Sequence, residues 1–276
     1  MTAGPGRRPS DRPVGRPAAA SSPGGARPAP SGRPAGGRAV TAVVVDIEGT
    51  ASPTSAVVGT LYPYARARMA SWLAERADDP EVRRAVAQAR DLLGEPGAGP
   101  GRVLAALDDW LARDAKVAPL KALQGQIWAA GFAAGELAGV LFPDVAPALR
   151  RWHATGIRLA VYSSGSVIAQ RAWFSRVTTT TGREEPDDLG PLLSAYFDLD
   201  NAGAKGDAAS YARIAAALGV EPGRLLFLTD RPGELDAAMA AGWAALGVAR
   251  AGEPYADALA GYPRVDSFAT VELAAA

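Results

Sequence analysis

Two carboxylates stand directly after an apolar run that is typical of a buried parallel strand. Residues 39–45 are rich in β-branched side chains and lead into Asp46-Ile47-Glu48-Gly49-Thr50. Charges at a strand end need partners, and open α/β folds bind ligands at the carboxyl edge of the sheet. We interpret Asp46 as a nucleophile or metal ligand and Glu48 as a second acid. Taken alone, an ordinary acidic turn explains these residues equally well.

Further polar side chains follow later apolar runs, at 157–162 and 225–228, or a short predicted strand at 197–200. These side chains are Ser163, Ser164, Lys205 and Asp230. Because the carboxyl ends of parallel strands share one edge of a sheet, they can converge with the first two acids. Each has an ordinary explanation in isolation, namely helix caps for the serines and Asp230 and a surface position for the lysine.

Together these side chain types suit phosphoryl transfer. A carboxylate nucleophile needs a divalent cation and an ammonium group nearby to approach a phosphate dianion. Hydroxyls and backbone N–H groups at the start of a helix can hold phosphoryl oxygens. A further aspartate completes the oxygen-rich shell that Mg²⁺ prefers. The ordered set therefore predicts a Mg²⁺-dependent site for a small phosphate ester.

Composition narrows the remaining chemistry. The chain of 276 residues has no cysteine and one histidine, His153, which excludes thiolate chemistry, disulfides and histidine-rich metal sites. Residues 39–276 carry 22 basic against 28 acidic side chains, so nucleic acid is not the expected partner. No apolar run reaches the length of a membrane span. We expect a cytoplasmic protein, and nothing argues for more than a monomer.

The chain divides into three parts. Residues 1–38 hold seven arginines and many prolines but no large apolar side chain, which predicts a disordered, dispensable tail. Residues 55–141 show helical spacing on both sides of a Gly/Pro-rich loop at 94–101 and form a predicted helical cap. Residues 39–54 and 142–276 alternate strands and helices, which predicts an α/β core with a Rossmann-like parallel sheet and the cap inserted after its first strand.

The individual elements follow from periodicity and from helix start and stop signals. Asp79 and Pro80 start a predicted helix that Gly94 ends. The predicted helices lie at 64–76, 81–93, 103–111, 120–132, 144–155, 167–177, 206–218 and 234–241. The predicted strands lie at 39–45, 157–162, 197–200, 225–228 and 243–248, the last being the final strand, with a polar loop at 178–188.

The order of these motifs resembles the haloacid dehalogenase-like phosphatases that carry a helical cap after the first motif. Within them, Asp-Ile-Glu-Gly-Thr at 46–50 is similar to the enolase-phosphatase family of methionine salvage, because most relatives have Asp where Glu48 stands. The resemblance extends over residues 40–250. It includes the stretches 61–65, 124–128, 162–166 with Ala169-Gln170, Ser210-Tyr211, 226–230 and 234–238.

The resemblance implies a specific reaction and specific roles. The substrate would be 2,3-diketo-5-methylthiopentyl-1-phosphate, which is enolised and dephosphorylated to the acireductone 1,2-dihydroxy-3-keto-5-methylthiopentene. Asp46 and Glu48 match catalytic positions, and with Asp230 they match positions that bind Mg²⁺. The substrate-binding positions are Ser163, Ser164 and Lys205.

Two other functions stay open at this point. The first is a capped phosphatase or mutase of the same fold that acts on a sugar phosphate without enolisation. The second is a catalytically inactive binding or scaffold protein. The remaining two lysines, Lys116 and Lys121, fall on predicted cap elements and are expected to be solvated and dispensable.

Overall fold

Strand β1 (Ala42–Val45) lies inside a six-stranded sheet in which all paired strands are parallel. The structure is a computed structural model that describes residues 1–2, 39–113, 115–181 and 186–273. The other strands of this sheet are β3 (Arg158–Tyr162), β5 (Leu193–Phe197), β6 (Leu225–Thr229), β7 (Ala244–Val248) and β8 (Arg264–Val265). The strand order is β5-β3-β1-β6-β7-β8. The predicted α/β fold with a parallel sheet is confirmed.

Helices fill the segment between β1 and the short strand β2 (Gly139–Leu141). They are α1 (Thr54–Ala56), a π-helical turn (Val57–Leu61), α2 (Tyr62–Glu75), α3 (Pro80–Leu93), α4 (Pro100–Ala112) and α5 (Ala118–Ala133). Helix α3 starts and ends as its sequence predicts. The Asp79 carboxylate accepts hydrogen bonds from the first turn, and Gly94 closes the helix with a left-handed φ of 67°.

Four helices connect the strands of the sheet. They are α6 (Val145–Ala154), α7 (Val167–Ser175), α8 (Ala208–Leu218) and α9 (Pro232–Ala240). Alternate side chains of β1 pack into the core on opposite faces of the sheet. Val43 and Val45 contact the side that includes α6 and α7, whereas Ala42 and Val44 contact the side that includes α8 and α9. Both faces are therefore apolar, and polar side chains are left to the strand ends.

The structure corrects four predicted boundaries. The strand expected at 197–200 is Leu193–Phe197, because Asp198 instead accepts hydrogen bonds from the backbone N–H groups of Asp200 and Asn201 and turns the chain. The helix expected to reach Val177 ends at Ser175. The polar loop expected from residue 178 begins inside β4 (Val177–Thr179), which pairs with β2. Strand β8 follows the strand predicted to be the last.

Some predictions lie outside the described residues or stay untested. The predicted tail falls on residues 1–38, almost all of which the structure leaves undescribed. The boundaries proposed between core and cap stay a prediction. Among the helices that the structure describes, none is both long and apolar enough to cross a membrane.

Candidate active site

The carboxyl ends of the two central strands, β1 and β6, bring the first site residues together. Asp46 follows β1 directly, and its backbone N–H donates to the carbonyl of Leu228 on β6 at 2.9 Å. Its Oδ2 lies 3.5 Å from the hydroxyl oxygen of Thr229, the last residue of β6. The Asp46 side chain is only 6% exposed, so its charge depends on protein partners.

Lys205 supplies the positive partner. Its Nζ lies 2.6 Å from Asp46 Oδ1 and 2.7 Å from Glu234 Oε2, and its side chain is 10% exposed. Its own carbonyl accepts a hydrogen bond of 2.8 Å from the hydroxyl of buried Tyr211. Thr229 donates to Glu234 Oε2 at 2.7 Å. The ammonium is therefore held between two carboxylates, one directly after β1 and one in the helical segment that follows β6.

Burial and mutual repulsion shift the acid–base behaviour of this cluster. Burial raises the pKa of Asp46 to about 6, although the Lys205 charge opposes that shift. Burial also disfavours the Lys205 ammonium, yet the Asp46 and Glu234 carboxylates hold its pKa above the ordinary value. Burial, together with repulsion from Asp46, raises the pKa of Asp230 to about 7. The cluster thus has an excess of acid that one ammonium does not balance.

Asp230 lies beside this pair with an unsatisfied oxygen. Its side chain is 2% exposed, and its Oδ1 makes no hydrogen bond, although the Arg231 guanidinium lies 3.6 Å away. Gly49 has a φ of +75°, and a Cβ at that position would collide with the Asp230 carboxylate. The turn after β1 therefore needs glycine both for its backbone conformation and for its approach to Asp230.

Among the described residues, no group of three or more His, Cys, Asp or Glu side chains is arranged to hold a metal ion. Asp46, Glu48 and Asp230 were expected to share that task. Asp46 and Asp230 interact strongly enough to shift the pKa of Asp230, whereas Glu48 lines an adjacent cavity. A cation here would need backbone carbonyls or water to complete its coordination.

The serine loop after β3 forms the next part of the site. Ser163 is buried, and its backbone N–H donates to the carbonyl of Phe197 at 3.1 Å. Gln170, which is 1% exposed, donates through Nε2 to the carbonyls of Gly165 at 2.7 Å and Phe197 at 2.8 Å. Its Oε1 has no hydrogen-bond partner. The glutamine amide therefore fixes the loop that carries Ser163 and Ser164.

A cavity lies between this loop and the helical segment. Its polar lining includes Glu48, Ser163 and Ser164 from the core together with Lys116 and Lys121 from the helical segment. Its apolar lining comprises Ile47, Val57, Leu61, Ala169, Trp128 and Trp173. Asp46, Lys205 and Asp230 are not part of this lining. The cavity can thus receive the carbon skeleton of a ligand whose reacting group reaches the neighbouring carboxylates.

The position of Lys121 differs from the solvated one that the sequence predicts. It does lie on a helix of the predicted cap, α5, but its side chain is 13% exposed and lines the cavity. The interpretation of Lys121 as a solvated residue is therefore wrong. Lys116 is exposed, yet it lines the same cavity and donates to the Tyr62 hydroxyl at 3.0 Å. The cause is the docking of α5 over the serine loop, which spacing along the chain does not reveal.

Sequence reasoning also missed two residues of the site region. Glu234 stands four residues after Asp230, in the first turn of α9, and this spacing was the available signal. Arg250 had no such signal. It is 5% exposed and reaches the Thr50 carbonyl at 3.1 Å and both oxygens of Asp144 at 2.8 and 2.9 Å. It links the turn after β1 to the segment that returns from the helices.

Known proteins are similar in sequence to this chain over nearly all of the described region. Residues 40–242 match the family described as haloacid dehalogenase-like hydrolase. A protein of Frankia alni named Enolase-phosphatase E1 is 60% identical over 234 residues, which are 84% of this chain and 95% of that protein. One of the same name from Streptomyces avermitilis is 58% identical over 78% of this chain and 87% of its own length.

A solved structure is similar as well. The crystal structure of UTR4 protein from Saccharomyces cerevisiae matches with a TM-score of 0.69 at 31% identity. The match covers 83% of this chain and 98% of that one. The sheet and the helical segment between its first two strands are therefore shared with a protein of related sequence.

Proposed function

The chain belongs to the haloacid dehalogenase-like hydrolase family, and we infer that it is an enolase-phosphatase that serves methionine salvage. The observation that carries this inference is the Lys205 ammonium between the Asp46 and Glu234 carboxylates, beside a cavity that Glu48 lines. We propose 2,3-diketo-5-methylthiopentyl-1-phosphate as the substrate. The apolar part of the cavity suits a methylthioalkyl chain, because thioethers contact aromatic rings favourably.

The first proposed step is enolisation. Glu48 removes a proton from C1, and the electron pair of the C–H bond becomes the C1–C2 double bond while the C2 carbonyl oxygen takes the negative charge. A carboxylate is the natural proton carrier in a chain with one histidine. Ser163 and Ser164 lie in the loop on the same cavity wall and can donate hydrogen bonds to the substrate.

The second proposed step is phosphoryl transfer. An Asp46 oxygen attacks phosphorus, the bond from phosphorus to the C1 oxygen breaks with its electron pair on that oxygen, and the enediolate leaves and takes up protons from the Glu48 carboxyl and from water. Enolisation first is favourable, because an enol oxygen is a better leaving group than an alkoxide. Lys205 reduces the repulsion between the Asp46 carboxylate and the incoming phosphate dianion. Water then hydrolyses the aspartyl phosphate.

The residues present fit a bound Mg²⁺. Asp230 Oδ1 is buried without a hydrogen bond, and the raised pKa of Asp230 reflects a local excess of negative charge that a divalent cation would relieve. We propose that Asp46 and Asp230 hold the ion and that Glu48 helps to organise the site. When bound, Mg²⁺ would supply charge stabilisation to the phosphoryl oxygens.

Two alternatives from the sequence are now weaker. A sugar phosphate phosphatase or mutase of the same fold does not explain why Glu48 replaces the usual Asp or why relatives at 58–60% identity are named enolase-phosphatases. An inactive scaffold does not explain a buried Asp46–Lys205 pair with an acid excess. The cytoplasmic location and the monomeric state stay predictions.

The decisive experiment supplies the diketone phosphate and Mg²⁺ to the purified protein. We expect loss of the diketone absorbance together with release of phosphate. The Asp46→Asn protein is the matched control, and its phosphate release should fall about 10⁴-fold or more while its fold is retained. Phosphate release from sugar phosphates but not from the diketone phosphate would support the mutase or phosphatase alternative. Near wild-type release by Asp46→Asn would overturn the nucleophile assignment.

A further inference from the structure

All three lysines of this chain lie at or beside the candidate site, and two of them, Lys121 and Lys205, are largely buried. The chain uses 26 arginines against three lysines. Lys205 pairs with Asp46, and both other lysines, Lys116 and Lys121, line the cavity that Glu48 lines. An ammonium is a compact point charge, whereas a guanidinium is planar and larger. Lys116 and Lys121 therefore present compact charges to the cavity.

Lys121 is the better placed of the two cavity lysines. It lies in the first turn of α5, and its side chain is 13% exposed. Its ion pair is with Asp200, at 3.5 Å, and the Asp200 side chain is 80% exposed. A long pair with a solvated carboxylate stabilises a cation weakly. Because an ammonium has three N–H donors, Lys121 retains the capacity to bind a ligand oxygen in the cavity.

We propose that Lys121 is a catalytic residue that binds the C2 oxygen of the substrate and stabilises the enolate as it forms. This inference rests on the proposed function. Glu48 and the serine loop form the core wall of the cavity, and Lys121 belongs to the wall that the helical segment supplies. A substrate that occupies the cavity therefore has a proton acceptor on the core side and an ammonium on the other.

The two walls have complementary tasks in this arrangement. When Glu48 takes the C1 proton, the negative charge moves onto the C2 oxygen, and Lys121 donates a hydrogen bond to that oxygen without losing its own proton. The interaction is stronger in the transition state than with the neutral ketone, so it raises kcat. It also makes enolisation depend on the helical segment being docked, because α5 brings the ammonium to the site.

The test compares Lys121→Met with wild type on the diketone phosphate, both unlabelled and deuterated at C1, under saturating Mg²⁺. Methionine keeps the length of the side chain and removes the charge. We expect kcat to fall about 10²-fold, the cost of removing one oxyanion donor. The C1-deuterium isotope effect on kcat should be at least as large as in wild type, because enolisation is the slowed step.

Asp200→Asn is the matched control, because it removes the ion pair and leaves the ammonium in place. Its kcat should stay within about threefold of wild type, as for an exposed pair. The proposal is wrong if Lys121→Met keeps its kcat, if its isotope effect falls below that of wild type, or if Asp200→Asn reproduces its defect. If wild type itself fails to consume the diketone phosphate, the proposed function fails instead, and the two failures are distinguishable.

Discussion

Lys205 Nζ lies 2.6 Å from Asp46 Oδ1, and this ion pair joins the end of β1 to the loop before α8. The second carboxylate on the same ammonium, Glu234, comes from the first turn of α9. Three segments distant in sequence therefore meet through one charge. The phenyl ring of Phe227 and the ring of Tyr162 lie beneath it, at 5.8 and 5.7 Å from Nζ to the ring centroids. The ammonium therefore lies over two aromatic rings, and its N–H groups are directed to the two carboxylates.

Substitution of Lys205 tests the importance of this charge. In Lys205→Ala we expect kcat to fall at least 10²-fold and KM to rise, because the phosphate dianion would meet Asp46 without a neutralising cation. Lys205→Arg should restore little of the lost activity, since a planar guanidinium does not fit between two carboxylates whose spacing suits an ammonium. Steady-state kinetics with phosphate detection measures both variants.

The control for this experiment is Arg113→Ala, which removes an exposed cation paired with Asp109 on α4. It should behave as wild type. Circular dichroism must show that Lys205→Ala is folded, because its loss leaves two buried carboxylates unpaired. A folded Lys205→Ala protein with the kinetics of Arg113→Ala would show that Lys205 is only structural.

Glu234 was absent from the residues expected at the site, and its role is therefore a separate prediction. It accepts hydrogen bonds from Lys205 and Thr229, so we treat it as a positioning residue for the ammonium. Glu234→Gln should lower kcat about 10- to 100-fold with a smaller change in KM. Asp236→Asn is the control, because Asp236 is an exposed residue of the same helix that pairs with the Tyr262 hydroxyl. Equal kinetics for the two variants would contradict the positioning role.

The fold follows from the sequence where apolar runs are long and helix signals are strong. Four of the five predicted strands match strands of the sheet, because apolar runs such as 225–228 are buried on both faces. Of the strand predicted at 197–200, only Phe197 lies in the sheet. The missed strands β2 and β4 have three residues each, and β8 has two. Strands this short gain their stability from pairing with a neighbour, which periodicity cannot detect.

The site follows from the sequence only as far as topology fixes it. Asp46 and Asp230 follow adjacent parallel strands, so any parallel sheet with that order brings them together. The side of the cavity formed by Lys121 depends on how α5 docks against the serine loop and α7, which is a tertiary packing result. Arg250 likewise acts between segments that are 200 and 106 residues away in the chain.

The affinity for Mg²⁺ should fall as the pH falls through the pKa values of the two aspartates. Asp230 has a pKa raised to about 7 and Asp46 one raised to about 6, so both bind protons more readily than an ordinary aspartate. A metal ion must displace those protons, and the proportion of ionised side chains falls with decreasing pH. We therefore expect the Kd to rise by about an order of magnitude between pH 8 and pH 6.

Isothermal titration calorimetry with Mg²⁺ alone measures this dependence. Asp230→Asn should bind Mg²⁺ more weakly at pH 8. Its Kd should change little between pH 8 and pH 7, because the side chain that titrates there is gone. A Kd that stays within twofold over the whole range would show that neither aspartate is a ligand of the ion.

Arg250 connects the two places where the chain passes between the sheet and the helical segment. Its guanidinium donates to the Thr50 carbonyl, after β1, and to Asp144, just before α6. Asp144 also accepts hydrogen bonds from the Ser267 hydroxyl and the Phe268 N–H. Although burial alone would raise the pKa of Asp144, Arg250 and these donors hold it below its ordinary value.

Arg250→Met should lower the free energy of unfolding by about 3 kcal/mol at pH 7, because it leaves a half-buried carboxylate without its cation. A lowered carboxyl pKa contributes stability at neutral pH that is lost as the pH falls through the folded-state value. The difference between wild type and Arg250→Met should therefore narrow below about pH 4. Urea denaturation at several pH values measures this difference, and the control is Arg102→Met at the exposed Glu95 pair, whose free energy of unfolding should stay close to that of wild type. A difference of the same size at all pH values would assign the effect of Arg250 to packing instead of to its charge.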